Sequence, residues 1–204
     1  LAIIQKSYLF NQAKKRRELI LEPHGYAQHY RTFYYDARPL IHQTVTPISR
    51  QNIDFGKSDA YRFRTDLFNE LRNQRNLALR LGETKADPNY IWKLRPKVLE
   101  SLVKKEKDFS SLSDDDFQTT IRQKGVDMRM GLHMASIALK KQANIFVLVT
   151  GDADFVPAAK LVRREGCQVI LNPLKRNVPS ELFEHIDGLE SGFWNNHNRG
   201  EDDD

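Results

Sequence analysis

Cysteine is all but missing from this 204-residue chain. Cys167 stands alone, so no internal disulfide can form, and its apolar neighbours read as a buried strand rather than a reactive thiol centre. Long hydrophobic runs are missing too: no stretch approaches the roughly twenty apolar residues that span a bilayer. The apolar start is too short for a secretory leader, so the sequence predicts a cytoplasmic protein that makes no membrane contact. There is no glycine-rich phosphate loop and no nucleophile elbow, which disfavours P-loop nucleotide hydrolysis and serine hydrolysis. Neither sign of charge dominates. Against 32 Lys and Arg stand 27 Asp and Glu, a net charge of +5 with pI near 9.3, too small an excess to imply nucleic acid by itself.

What is present suffices for one substantial core, with 40% of residues hydrophobic. The expected organisation is a single domain over residues 1–192, with a variable insertion around 84–116 and a solvated polar tail over 193–204. Strands are expected at residues 2–4, 30–35, 77–81, 117–121, 145–149 and 166–170. Helices are expected at 59–74, from Asp127 onward and from Phe155 onward. Alternation of this kind predicts an α/β fold. Residues 37–58 read as a polar, proline-bearing loop. In the insertion a helix is expected over 96–107, and Asp114 to Asp116 read as a solvated turn or cap rather than a metal site.

The most informative segment is Phe146-Val-Leu-Val-Thr-Gly-Asp-Ala-Asp-Phe155, where an apolar strand runs straight into two carboxylates. Asp152 and Asp154 fall between a strand end and a helix start, the position at which open α/β sheets bind ligands. Asp154 suits a helix cap, with Pro157 in the first turn. That role leaves Asp152 unexplained, and two adjacent acids repel unless a cation compensates. Such an ending reads as a metal site. Asp127 marks a second junction of the same kind, after the permissive Gly125. Beyond it Met128, Leu132, Ala135 and Leu139 recur at three-to-four spacing and predict the face turned to the core.

Lys124-Gly-Val-Asp127, Thr150-Gly-Asp-Ala-Asp-Phe155 and Gly166-Cys-Gln-Val-Ile170, continuing through Asn172-Pro173 and Leu182 to Leu189, closely resemble the NYN domain in one of its bacterial branches. NYN domains are PIN-like nucleases. The resemblance implies a Rossmann-like, PIN-like, mostly parallel sheet sandwiched by helices, and metal-dependent cleavage of RNA. Asp127, Asp152 and Asp154 match the family's acidic positions and would hold Mg²⁺ or Mn²⁺. Lys124, Arg129, Thr150 and Lys160 are the expected substrate contacts, within a basic surround that includes Lys14 to Arg17, Arg163, Arg164, Lys175 and Arg176. Tyr8, Tyr34 and Tyr35 are candidates for base stacking, though an aromatic strand end also reads as core. A homo-oligomer or a protein partner is compatible with the sequence.

Two positions depart from the family pattern. Gln5 stands where the first metal-binding Asp is expected, and an amide offers a carbonyl oxygen without negative charge. An engineered inactivation, a naturally degenerate site, or missing residues that shift the register each account for it. His133 stands where this branch often shows another Asp, yet six residues from Asp127 it falls on a different helix face. Both departures point to the alternative function, a catalytically degenerate nucleic-acid-binding or regulatory module.

Overall fold

The structure, a computed structural model, describes residues 2–6 by their backbone and residues 29–87, 90–174 and 176–189 in full. In chain order the strands are β1 (Ala2–Lys6), β2 (Arg31–Ala37), β3 (Gln43–Val45), β4 (Asn52–Asp54), β5 (Leu77–Lys85), β6 (Trp92–Leu94), β7 (Phe117–Thr119), β8 (Arg122–Lys124), β9 (Ile145–Val149), β10 (Gln168–Leu171) and β11 (Gly188–Leu189). The α-helices are α1 (Asp59–Arg72), α2 (Pro96–Val103), α3 (Val126–Leu139), α4 (Val156–Arg164) and α5 (Ser180–Phe183). The chain groups into two compact units: residues 1–36, 69–81 and 125–204 form one, and residues 37–68 and 82–124 the other.

In the first unit the strand order is β11-β10-β9-β1-β2-β5. β1 pairs in parallel with both β2 and β9, and β10 in parallel with β9 and β11. β9 is the run Ile-Phe-Val-Leu-Val, and Phe146, Val147 and Leu148 are fully buried. β-branched and aromatic side chains without polar alternation are what a strand packed on both faces requires. Each such burial contributes about 1.5–3 kcal/mol.

α3 turns the other way from the sequence expectation. Its buried residues are Val126, Met130, Met134, Ile137 and Ala138, whereas Met128, Leu132 and Leu139 are exposed. At about 100° per residue the two sets form stripes on opposite sides of one helix. Periodicity therefore could not choose between them. Packing did: Gly131 lies beside Ala158 of α4, and His133 stands edge-on to Phe33 of β2 with ring centroids 4.4 Å apart. Gly125 enters the helix at φ 76°, the left-handed conformation that glycine adopts without penalty.

His133 also shares a 2.5 Å hydrogen bond through Nδ1 with the Tyr35 hydroxyl. Burial pushes the Tyr35 phenol well above its usual value, with Arg80 opposing. Burial first, then the Arg80 and Lys140 charges, hold the His133 imidazole below its ordinary value. His133 is thus a packing residue held neutral.

The second unit holds more structure than its composition suggests. Within the expected loop, β3 and β4 form an antiparallel hairpin with Thr44 opposite Ile53. The turn is closed by the Gln51 amide donating to Thr46 Oγ1 at 3.0 Å, a tie that polar residues supply and hydrophobic patterning does not reveal. β5 continues past residue 81 to Lys85 and pairs with β8, Glu83 opposite Lys124 and Lys85 opposite Arg122. β6 pairs antiparallel with β7, Trp92 opposite Thr119. Asp116 completes a capping box with Ser113 and accepts from Lys107 Nζ at 2.6 Å. Asp114 accepts from the Ile48 amide at 2.8 Å and from the Ser49 hydroxyl. The acidic run is a cap, as expected.

Two measurements test this packing. Met134→Ala, at a side chain 0% exposed, should lower the unfolding free energy in urea by about 2–5 kcal/mol. Leu132→Ala, at one 66% exposed, should change it by no more than about 0.5 kcal/mol. For His133 the folded chain holds the proton less readily than the unfolded chain, whose value is near 6.5. Its stabilising contribution is therefore complete above that value and declines as pH falls below it, because the unfolded state takes up the proton first. Urea melts should show the stability advantage of the native chain over His133→Gln shrinking between about pH 8 and about pH 5.

Candidate active site

The carboxyl end of β9 is fixed by short polar ties. Thr150 is buried, and its Oγ1 accepts from the Asp152 amide at 3.2 Å. Asp152 is extended (φ −101°, ψ 124°), and its Oδ1 accepts from the Asp154 amide at 3.1 Å, capping the 3-10 turn Ala153–Phe155 that leads into α4. Asp152 is therefore the cap, in place of Asp154. The sequence favoured Asp154 because Pro157 marks the first turn of the α-helix, and the intervening 3-10 turn leaves no trace in hydrophobic periodicity. Asp154 lies in that turn and is exposed. Thr150 closes the strand. The stem of Arg176 passes over Gly151, where an added Cβ would meet its Cβ at 3.6 Å.

Asp127 lies in the first turn of α3, half-buried. α3 packs against both the Ala153–Phe155 turn and α4. The two helix starts that carry the three acids are consequently on neighbouring elements. Among the described residues no group of three or more His, Cys, Asp or Glu is arranged to hold a metal ion. Carboxylate oxygens are nonetheless the hard donors that Mg²⁺ and Mn²⁺ take, and Mg²⁺ is commonly held by one or two carboxylates with water and substrate phosphate completing its shell. Asp152 and Asp154, on one turn, fit that smaller donor set.

β1 places Gln5 opposite Tyr34 of β2 and Val149 of β9, at the carboxyl end of the strand between them. His133 is committed to Tyr35 and Phe33. Tyr34 and Tyr35 are buried and belong to the core rather than to a stacking surface. Tyr8, Lys14 to Arg17 and Lys175 lie outside the described residues.

The basic residues divide by role. Arg129 donates from Nη1 to the Leu81 carbonyl at 2.9 Å. Arg163 pairs with Asp187 at 2.9 Å, and the other Asp187 oxygen accepts from the Val169 amide at 2.8 Å. That makes Arg163 a structural tie. Lys160 and Arg164 are exposed on α4, and Lys124 is exposed on β8 in the second unit.

Sequence reading overlooked Asp36, which is 2% exposed near the carboxyl end of β2. The signal was available: Phe33-Tyr-Tyr-Asp36 repeats the pattern of an apolar strand running into an acid.

No curated protein matches the chain. The chain is similar to the crystal structure of a protein of unknown function from Vibrio parahaemolyticus RIMD 2210633, at 13% sequence identity over 92% of this chain and 89% of that one, with a TM-score of 0.45. The NYN domain model matches residues 65–188, more than half of the sequence, and takes in both acidic junctions. This chain belongs to the NYN domain family of PIN-like ribonucleases.

Proposed function

We propose that the protein is a cytoplasmic, metal-dependent ribonuclease that hydrolyses RNA phosphodiesters, with Asp152 and Asp154 holding Mg²⁺ or Mn²⁺ and Asp127, on the neighbouring helix start, acting on the ion through water, on a mostly parallel sheet sandwiched by helices. The observation that carries the reading is the carboxylate turn at the end of β9, Thr150 to Asp154, packed against the helix that bears Asp127. Bound there, a divalent ion supplies an activated water and neutralises charge on the phosphate. The chain's own residues orient the site. Thr150 holds the Asp152 amide, and the Asp152 carboxylate in turn holds the amide of Asp154, so both acids are carried on one hydrogen-bonded turn. Arg129 and Lys160, in the same unit as the acids, are the proposed phosphate contacts, and an RNA backbone needs such cations beside an acidic centre.

A second reading is favoured by Gln5. Gln5, an uncharged residue, holds the register position between Tyr34 and Val149, and the family resemblance expects the first acid at that residue. On this reading the protein binds RNA without cutting it.

Cleavage of single-stranded and structured RNA, with Mn²⁺ or with EDTA, decides between them. Asp152→Asn should reduce metal-dependent cleavage by about 100-fold or more, the scale of losing one charge-stabilising group. It should leave stability nearly unchanged, because Asn keeps the capping oxygen, whereas Asp152→Ala should also cost about 1 kcal/mol in a urea melt. Cleavage by Gln5→Asp alone identifies Gln5 as the inactivating residue. RNA bound but cut by neither chain establishes the binding module.

A further inference from the structure

The second unit contains a cleft of about 450 Å³ lined by Leu40, His42, Lys85, Ala86, Asp87, Tyr90 and Ile91. That volume is within the roughly 300–1,000 Å³ of small-ligand sites. Its walls are of two kinds. Leu40, Ala86, Ile91 and the Tyr90 ring are apolar, while Lys85 and His42 are basic and Asp87 is a carboxylate. Tyr90 is 63% exposed, unlike the core tyrosines Tyr34 and Tyr35. Its backbone is nonetheless held on both sides. The Thr120 hydroxyl donates to the Tyr90 carbonyl at 2.8 Å, the Thr120 amide donates to the Ile91 carbonyl at 2.8 Å, and the Tyr90 amide donates to Asp87 Oδ1 at 3.4 Å. Trp92, next along, donates from its indole to the Val45 carbonyl at 2.9 Å. The ring is thus offered to solvent from a backbone tied to Thr120 and Asp87, with one apolar face open to a stacking partner.

The cationic side is also built. Lys85 ends β5 opposite Arg122 of β8, and residues paired across an antiparallel ribbon share a face. Lys85 pairs with Glu83 at 2.9 Å, both side chains more than half exposed, an ion pair weak enough for a phosphate to displace. A ligand that matches these walls is planar and apolar on its faces, hydrogen-bonding at one edge and anionic at the other end.

We propose that this cleft binds one unpaired nucleotide of an RNA strand. The base stacks on Tyr90, its amino edge donates to Asp87, and the phosphate lies against Lys85 and Arg122, with His42 beside them. The choice of RNA rests on the nuclease reading above; the cleft itself is formed wholly within the second unit. A carboxylate accepts from the cytosine amino group, so cytidine is the probe of choice.

The test measures binding of a ten-residue oligocytidylate by fluorescence anisotropy in EDTA, which prevents cleavage, together with a CMP titration followed by NMR. Tyr90→Ala should weaken oligocytidylate binding roughly 5- to 100-fold, the range for loss of one base–aromatic stack, and Tyr90→Phe should restore it to within about twofold. Lys85→Ala should weaken binding and lower the slope of log affinity against log salt by about one. If the native chain binds the oligonucleotide and both alanine variants bind it equally well, the cleft is overturned while the RNA reading stands. If the native chain binds CMP with shifts at Tyr90 and ignores the oligonucleotide, the strand-binding proposal is overturned in favour of a site for a free mononucleotide. If it binds neither, the cleft proposal is overturned, and the nuclease reading stands or falls separately on the cleavage assay with Mn²⁺.

Discussion

The first unit depends on the parallel pairing of β1 between β2 and β9. Ala2–Lys6 pairs along its five residues with β2 and along four of them, Ala2 to Gln5, with β9, Gln5 meeting Tyr34 on one side and Val149 on the other. Without that strand the inner edges of β2 and β9 would present unpaired amides and carbonyls, and each such group left buried costs about 1–3 kcal/mol, comparable to what one buried apolar side chain recovers. The same pairing sets the level at which the strands end. Gln5, Val149 and the turn that follows β9 share one edge because β1 holds its neighbours in register.

From that edge outward the structure works through short, local ties. Thr150 holds the amide of Asp152, and Asp152 holds that of Asp154. A carboxylate that caps a turn is already ordered before any cation arrives, so the entropy of positioning it is spent in folding rather than in binding. Asp152 thus serves the turn and the proposed chemistry with one side chain. The job that sequence reading could not assign to it is structural at the least.

Legibility followed the physics of each segment. β9 was readable because a buried parallel strand leaves an uninterrupted β-branched run, and the change to Thr-Gly-Asp marks its end. Gly125 was readable because few other residues accept its backbone angle. α3 misled because Met128, Leu132, Ala135 and Leu139 repeat as regularly as Val126, Met130, Met134 and Ile137, and only the neighbours in space select which set is covered. β3 and β4 escaped notice because their ties run through Thr46, Gln51 and Asp114, partners whose separations in sequence carry no period. The cleft around Tyr90 was beyond reach for the same reason: Leu40, Lys85 and Tyr90 meet only after folding. Asp36 could have been found, since it repeats the strand-into-acid pattern already recognised at Asp152.

Asp187 has a consequence for where this polypeptide can be shortened. Its carboxylate gathers the Arg163 guanidinium of α4 and the Val169 amide of β10 onto one residue immediately before β11. A chain cut before residue 187 would strand a cation and a strand amide together, and would uncover the edge of β10 that β11 pairs with. The minimal folding unit therefore extends through β11. The short segment after α5 behaves as a clasp on the β10 edge, and a boundary drawn just beyond the acids of the candidate site would remove it.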